Sequence, residues 1–245
     1  MMRYRPSCAK LVYVSVERSV SMVRGVSAKD VLKLASIGVE TYDVLAGVEP
    51  VLLKKKLGWT HNKALDVTLH AMALLHNRLY LKEPLQMPGG VIYFYDIETF
   101  GSATYLHGAL RIDGDSCREE RSFLARTPSD EGVAWRQLLD YLAQDEEATV
   151  FSWTDFERQH VHRLWDTYGG NNRGWNLIEN NLCDQCAFVK RHVVLPTRSY
   201  SIKSVAPIFG FNWHTPNPSG KKAEMWYKLW LESGDENVIR EIITY

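Results

Sequence analysis

The stretch that most constrains the fold is an apolar run that ends in two acids, "VIYFYDIE" at residues 91–98. A nearly continuous apolar run of this length predicts a strand that is buried on both faces of a sheet. Because side chains alternate faces along a strand, Asp96 and Glu98 point the same way. Two ionised carboxylates on one face repel each other and are costly to desolvate, so this end of the strand needs a compensating charge.

Two interpretations of these acids follow from their spacing. They are either solvated side chains at the end of a strand, or ligands of a divalent cation. Mg²⁺ and Mn²⁺ prefer carboxylate oxygens and keep water molecules that substrate phosphates can replace. A third acid favours the second interpretation, because Glu157 falls in the first turn of a predicted helix and on its apolar side. The alternative for Glu157 is a first-turn acid that reaches solvent.

The pattern of the chain changes at "KEPLQMPGG", residues 82–90, where prolines and glycines interrupt any regular element. Residues 1–85 are predicted to form a helical subdomain, with one helix capped by Ser27 and a longer helix over residues 60–81. The apolar stripe of this longer helix is expected at Leu65, Leu69, Met72, Ala73 and Leu79. Residues 90–245 alternate strands with helices, which is typical of an α/β domain with a sheet flanked by helices.

Two segments of this second region resemble motifs of the DEDD 3′–5′ exonucleases, which have the ribonuclease H-like fold. They are "DIET" at residues 96–99 and "SWTDFE" at residues 152–157. The second motif of that family usually ends in Phe-Asp, whereas here it ends in Phe156-Glu157, and Ser152 stands where Asn is common. The longer side chain of Glu157 alters the geometry available to a metal ion.

The resemblance implies a ribonuclease H-like mixed sheet and a metal-dependent 3′–5′ exonuclease. It implies two Mg²⁺ or Mn²⁺ ions, held by Asp96, Glu98 and Glu157 together with a later Asp. The substrate implied is single-stranded DNA or RNA, hydrolysed by a two-metal mechanism. In such a site the ions activate a water molecule and stabilise the leaving oxygen.

Residues 181–213 resemble more narrowly a bacterial branch of that superfamily, the predicted RecB-family nucleases with a ribonuclease H-like domain. The similarity lies in a Leu-Pro-x-x-Ser-Tyr-Ser-φ-Lys pattern at residues 195–203. In that branch a Cys-rich nuclease module can precede the domain, and residues 1–20, with Cys8, are expected to be its remnant. The resemblance also implies a fused or associated nuclease or helicase as a partner.

The last motif of the exonuclease family is a Tyr that is followed, a few residues later, by a catalytic Asp. Tyr245 matches this Tyr, and the fourth acid is absent from this sequence. Asp184 is a possible substitute, although an acid at this place is more often the cap of the following helix. The alternative function is therefore a catalytically impaired nucleic-acid-binding or scaffold module.

Several other side chains have both a functional and a structural interpretation. His160 is either a general base or a surface histidine. Lys203 either contacts a phosphate or a site carboxylate, or is solvated. Cys183 and Cys186 have the spacing of a metal-binding pair, but a zinc site needs four ligands, so two half-buried thiols are expected. The aromatic residues that could stack on bases, or form part of a core, are Trp213, Trp226, Tyr227 and Trp230.

The N-terminal region contains two segments that resemble helix-hairpin-helix units, residues 32–47 and residues 53–67. Their turns would present backbone N–H groups to a phosphate. The lysines that could add sequence-independent attraction to nucleic acid are Lys54, Lys55, Lys56 and Lys63. A plain helical subdomain with a solvated run of lysines is the alternative.

The composition excludes several classes of protein. The 29 basic and 29 acidic residues balance, which excludes a uniformly basic nucleic-acid binder but leaves room for a local basic patch. Four cysteines are too few for a disulfide scaffold and suit a reducing compartment. We expect neither an apolar run long enough to span a membrane nor the apolar core of a signal peptide, so we predict a cytoplasmic protein.

Overall fold

The computed structural model of the chain describes residues 18–114, 117–213 and 219–244. Within these ranges the chain forms two compact units. Unit 1 comprises residues 18–83 and 193–200, and unit 2 comprises residues 84–192 and the described residues from 201 onward. Cys8 and Tyr245 fall outside the described residues. None of the described helices is long and apolar enough to cross a membrane.

The helices and strands within the described ranges are numbered in chain order. The helices are α1 (Ala28–Ala35), α2 (Tyr42–Ala46), α3 (Pro50–Leu57), α4 (His61–His76), α5 (Glu131–Leu142), α6 (Phe156–Tyr168), α7 (Asn172–Asn181), α8 (Gln185–His192), α9 (Ile202–Val205), α10 (Gly220–Ser233) and α11 (Glu236–Thr244). The strands are β1 (Tyr80–Leu81), β2 (Val91–Phe100), β3 (Ala103–Asp113), β4 (Cys117–Leu124), β5 (Thr149–Ser152), β6 (Leu182–Asp184) and β7 (Val193–Val194).

Unit 1 is built from α1 to α4 around a core of mainly aliphatic side chains together with Trp59. Helix α1 begins at the predicted cap: the Ser27 hydroxyl accepts a hydrogen bond from the Asp30 N–H, and the Asp30 carboxylate accepts one from the Ser27 N–H. Residues 193–200 also belong to this unit, which the sequence did not predict. Strand β7 pairs with β1, and the buried His70 contacts the carbonyl of Thr197 through Nε2 at 2.9 Å. The domain division at residues 85–90 stays a prediction.

The predicted stripe of the long helix in unit 1 is confirmed at Ala73 and is wrong at Leu65 and Leu79. Helix α4 begins after the predicted cap Thr60 but ends at His76, because Asn77 adopts a left-handed conformation with φ 48°. Leu65 and Leu79 are exposed, and Leu69 and Met72 are only partly buried. The buried face carries smaller side chains, among them Ala64, Val67, Ala71 and Ala73. Small residues allow close approach of neighbouring backbones, so burial here follows packing distance rather than side-chain hydrophobicity.

Unit 2 contains a five-stranded mixed sheet in the order β4-β3-β2-β5-β6. Strands β2, β3 and β4 are antiparallel neighbours. Strand β5 runs parallel to β2, and β6 runs parallel to β5, because α5 and then α6 with α7 connect them as crossovers. The sheet with its flanking helices confirms the predicted α/β class.

One face of the sheet holds the core of unit 2, and the other face is open. The prediction that β2 is buried on both faces is wrong. Tyr93, Tyr95 and Ile97 are buried against α5, α6 and α7, whereas the alternate residues of β2 are partly exposed or exposed. The helices α10 and α11 pack at one end of the sheet around the buried Tyr227.

Helix α7 was not predicted, because its sequence "NRGWNLIENN" is rich in asparagine and contains a glycine. Its formation depends on packing against α5. A Cβ atom at Gly174 would lie 2.1 Å from the carbonyl oxygen of Leu139, so only glycine permits this approach of the two backbones. Tertiary contact, rather than helix propensity, therefore places this element.

Candidate functional site

The two acids of β2 lie on the open face of the sheet, as their spacing predicts. Asp96 and Glu98 both line a cavity of about 640 Å³ whose lining residues all belong to unit 2. Glu157 lines the same cavity from the first turn of α6 and is only 4% exposed. It reaches the acids of β2 because β5, which leads into α6, is the parallel neighbour of β2, with Phe151 opposite Phe94.

The three carboxyl groups are electrostatically coupled. Burial raises the pKa of Asp96, and a hydrogen bond with the Glu157 carboxyl group opposes that rise. Burial, followed by the negative charge of Asp96, raises the pKa of Glu98 to about 7. Burial raises the pKa of Glu157 to about 7, with a further contribution from the charge of Asp96. Asp96 is reachable by solvent through the mouth of the cavity, yet protein atoms surround its carboxyl group closely enough to desolvate it.

The donor set fits a hard divalent cation in its chemistry and its charge. Oε2 of Glu157 is buried without a hydrogen-bond partner among the described residues, so it is available as a ligand. The negative charges of neighbouring carboxylates repel each other, which raises their pKa values. A bound cation offsets this repulsion and stabilises the charged form. In their present arrangement, however, no three His, Cys, Asp or Glu side chains of the described residues are close enough to hold an ion together.

Asp184 has a structural contact. It ends β6, two strands away from β2, and its carboxylate accepts a hydrogen bond from the Ala187 N–H at 2.7 Å in the first turn of α8. This contact is that of a helix cap, the structural interpretation of Asp184 given above. The hydroxyl of Ser152, at the end of β5, is within hydrogen-bond distance of the Thr154 carbonyl, and its contact with the Glu157 carboxyl group lowers the pKa of Glu157. Ser152 thereby positions the junction that carries Glu157.

Lys203 and His160 lie in different surroundings. Lys203, on α9, lines the cavity, and its positive charge lowers the pKa of Glu98. His160 is not among the residues that line the cavity. Its Nδ1 lies 3.3 Å from the Thr104 hydroxyl and its ring packs on Phe156, while burial lowers its pKa. The structure thus brings Lys203, but not His160, to the acids.

The cysteines and most of the aromatic residues are structural in their contacts. Cys183 is exposed and Cys186 is buried, so neither is half-buried as expected, and neither takes part in a disulfide. Tyr227 is fully buried, and the partly buried Trp226 and Trp230 pack around it, as the core interpretation predicts. Trp213, in contrast, lines the cavity together with Phe94, Phe151 and Phe156.

The four lysines that were predicted to attract nucleic acid have different surroundings. Lys54, Lys55 and Lys56 are exposed in the last turn of α3. Lys63 is engaged within the unit, because its ammonium lies 2.8 Å from the Asp30 carboxylate and 4.6 Å from the centre of the Trp59 ring. Asp30 is buried, and burial is outweighed by its hydrogen bonds with Lys63 and Ser27, which lower its pKa.

Sequence reasoning missed the cavity residues that β3 and β4 contribute. Strand registers place Gly108 beside Asp96 and Ser122 beside Gly108, and both line the cavity. Gln185 and Glu224 line it from α8 and α10. A glycine inside a predicted strand, opposite an acid, is the signal that could have indicated Gly108.

Comparison with known families places the second part of the chain. The sequence model of the family RNase_H_2, described as RNase_H superfamily, matches residues 93–245. This match spans more than half of the chain, so the chain belongs to the RNase_H superfamily. Membership agrees with the mixed sheet and confirms the predicted ribonuclease H-like fold class.

Three solved structures of exonuclease I are similar to the chain at low identity. The ligand-free enzyme has 10% identity and a TM-score of 0.39, and the match covers 63% of this chain and 47% of that one. The complex with the inhibitor BCBP has 11% identity, a TM-score of 0.38, and covers 63% and 46%. The product-bound structure has 15% identity, a TM-score of 0.33, and covers 64% and 42%. The chain thus spans less than half of the length of each. No curated protein sequence matches the chain significantly.

Proposed function

We propose that unit 2 is a metal-dependent 3′–5′ exonuclease for single-stranded nucleic acid. The observation that carries this proposal is the gathering of Asp96, Glu98 and Glu157 in one cavity of a domain that belongs to the RNase_H superfamily. The cavity volume, about 640 Å³, lies within the range of ligand-binding pockets. Assignment to the RecB-family branch, and a fused or associated nuclease or helicase, stay predictions.

Asp96, Glu98 and Glu157 would hold Mg²⁺ or Mn²⁺. Bound ions of this kind supply an activated water and stabilise charge on the leaving oxygen. In the hydrolysis, water oxygen bonds to phosphorus, the bond from phosphorus to the 3′ oxygen breaks, and that oxygen receives a proton. A nucleoside monophosphate and a strand shortened by one nucleotide result.

The other cavity residues would bind and orient the strand. Phe156 and Trp213 offer aromatic surfaces on which a base can stack, an interaction worth about 1–3 kcal/mol per base. Lys203 would limit the repulsion between a phosphate and the acids through its charge beside Glu98. These contacts are independent of base identity, which suits an enzyme that removes nucleotides in succession.

The test is release of nucleotides from a single strand labelled near its 3′ end, with Mn²⁺ and with EDTA. Asp96→Asn should lower the rate roughly a thousandfold or more, since a loss of several kcal/mol of transition-state stabilisation is expected and each 1.36 kcal/mol is tenfold. Glu120→Gln is the matched control, because Glu120 also lines the cavity but lies on β4. Equal rates for wild type and Asp96→Asn would refute the site.

The alternative is a module that binds nucleic acid without hydrolysing it. It is favoured by the absence, among the described residues, of three potential ligands close enough to hold an ion. Binding of a single strand without any release of nucleotides in Mn²⁺ would support this function over the exonuclease.

We further propose that the exposed lysines of α3 bind phosphate groups without sequence preference. Replacing Lys54, Lys55 and Lys56 with glutamine should weaken binding of single-stranded DNA and reduce the salt dependence, by roughly 0.7 in the log–log slope for each lost contact. Lys29→Gln, an exposed lysine on α1, is the control. An unchanged slope in the triple variant would support the alternative, in which unit 1 is a plain helical subdomain with a solvated run of lysines.

A further inference from the structure

The glycine at position 108 is not required by the fold of unit 2. Its φ lies outside the left-handed region, so its backbone conformation is open to any residue. A Cβ atom added there would have the Asp96 carbonyl oxygen, at 3.9 Å, as its nearest neighbour, an ordinary van der Waals contact. The register between β2 and β3 is regular at this point, so Gly108 does not mark a bulge.

A glycine in the interior of a strand weakens the strand, because it loses more backbone entropy on folding and packs no side chain. A glycine inside a strand often marks a bulge, a tight bend, or a place where another backbone or a ligand approaches closely. Gly108 sits between Asp96 of β2 and Ser122 of β4 on the open face. Across the sheet, this row therefore has the carboxyl group of Asp96, no side chain at Gly108 and the hydroxyl of Ser122. The space above Gly108, between the other two side chains, is called the gap.

The rows on either side of this gap are filled. Glu98 lies beside Leu106 on one side, and Phe94 lies beside Leu110 on the other. The cavity extends along the gap, since its lining includes Gly108 and Ser122 as well as the three acids. From β2 to β4 it crosses two strand spacings, or roughly 10 Å.

We propose that this gap is the path along which the remaining strand leaves the acids, in the direction of its 5′ end. Gly108 is the floor of the path, and Ser122 offers a hydroxyl donor to a backbone phosphate. Leu110 and Phe94, which are partly exposed on one flanking row, face the bases. This inference rests on the proposed function and names where that site holds the nucleotides that are not cleaved.

The test combines strand binding with stability for Gly108→Ala, Gly108→Val and the control Ala103→Val, which adds bulk on β3 away from the cavity lining. The probe is (dT)10 with phosphorothioate linkages that resist hydrolysis, measured by fluorescence anisotropy in Mn²⁺. Gly108→Val should weaken binding at least about tenfold, with a smaller effect for Gly108→Ala and none for Ala103→Val. The melting temperature of Gly108→Ala should equal or exceed that of the wild type.

Three outcomes would overturn the path. These are unchanged (dT)10 binding by Gly108→Val, a large fall in the melting temperature of Gly108→Ala, or a melting temperature that Mn²⁺ raises in the wild type but not in Gly108→Val. The second would mean that the fold needs this glycine, and the third that the added side chain disturbs the acids. Failure of the wild type to bind (dT)10 would instead refute the proposed function.

Discussion

Two glutamates of unit 2, equally buried, lie in opposite electrostatic surroundings. Glu131 is 3% exposed and Glu157 is 4% exposed. The Glu131 carboxylate accepts hydrogen bonds from the Thr104 N–H, from the guanidinium of Arg163 and from the Tyr168 hydroxyl. Glu157 faces Asp96, and its Oε2 has no partner among the described residues.

The pKa values of the two glutamates express this difference. Burial alone would raise both. For Glu131 the hydrogen bonds, with Arg163 first, outweigh burial and lower the pKa. For Glu157 burial and the nearby charge of Asp96 raise the pKa to about 7. A buried acid whose charge is fully paired stabilises the fold, whereas one that faces another acid has a cost that a ligand must offset.

Replacing each glutamate by glutamine tests this contrast through stability. In metal-free protein at about pH 8, Glu131→Gln should lower the free energy of unfolding by about 2–3 kcal/mol. That is less than the ~3–5 kcal/mol of a fully buried pair, because Arg163 keeps contact with solvent. Glu157→Gln should leave stability unchanged or raise it. Urea unfolding measures both, and equal losses in the two variants would remove the distinction.

The difference in the free energy of unfolding between wild type and each glutamine variant should also change with pH. This change is smaller, and its sign differs between the two glutamates. The carboxyl group of Glu157 holds its proton more tightly in the folded state, where its pKa is about 7, than at the ordinary value of 4.5. Its stabilising contribution is therefore complete below about pH 4.5 and is lost as the pH rises through about 7. Wild type should thus lose stability relative to Glu157→Gln over this range.

Glu131 should show the reverse. Its folded pKa is below 4.5, so its contribution is complete above about pH 4.5 and is lost as the pH falls through the lower folded value. The advantage of wild type over Glu131→Gln should shrink in acid. Urea titrations of metal-free protein between about pH 2.5 and 8 measure both differences, and trends of the same sign would contradict the account.

The surroundings of Glu157 could be predicted from the sequence more fully than the surroundings of Glu131. Strand alternation placed Asp96 and Glu98 on one face, and the strand-to-helix junction placed Glu157 on the inner side of α6. Both depend on local periodicity, which the sequence carries directly. The surroundings of Glu131 depend on Thr104 and Arg163, which are distant in sequence and meet only when α5 and α6 pack beside β3.

The same limit explains the other differences between sequence and structure. The buried side of α4 and the existence of α7 depend on close backbone packing at small residues such as Ala71 and Gly174, which periodicity does not register. The second face of β2 read as buried because Ile92 and Phe94 are apolar, whereas both are partly exposed and Phe94 lines the open cavity. A cavity that accepts a ligand can be lined by apolar side chains, so apolar character alone does not distinguish it from a core.

The most direct test of the central claim is Mn²⁺ binding to the acids, measured by isothermal titration calorimetry at about pH 8. Wild type and Glu120→Gln should bind Mn²⁺ alike. Asp96→Asn and Glu157→Gln should each weaken binding at least about tenfold, because each removes a charged ligand. Binding of equal affinity by wild type and Asp96→Asn would contradict the account, since the ion would then be held elsewhere.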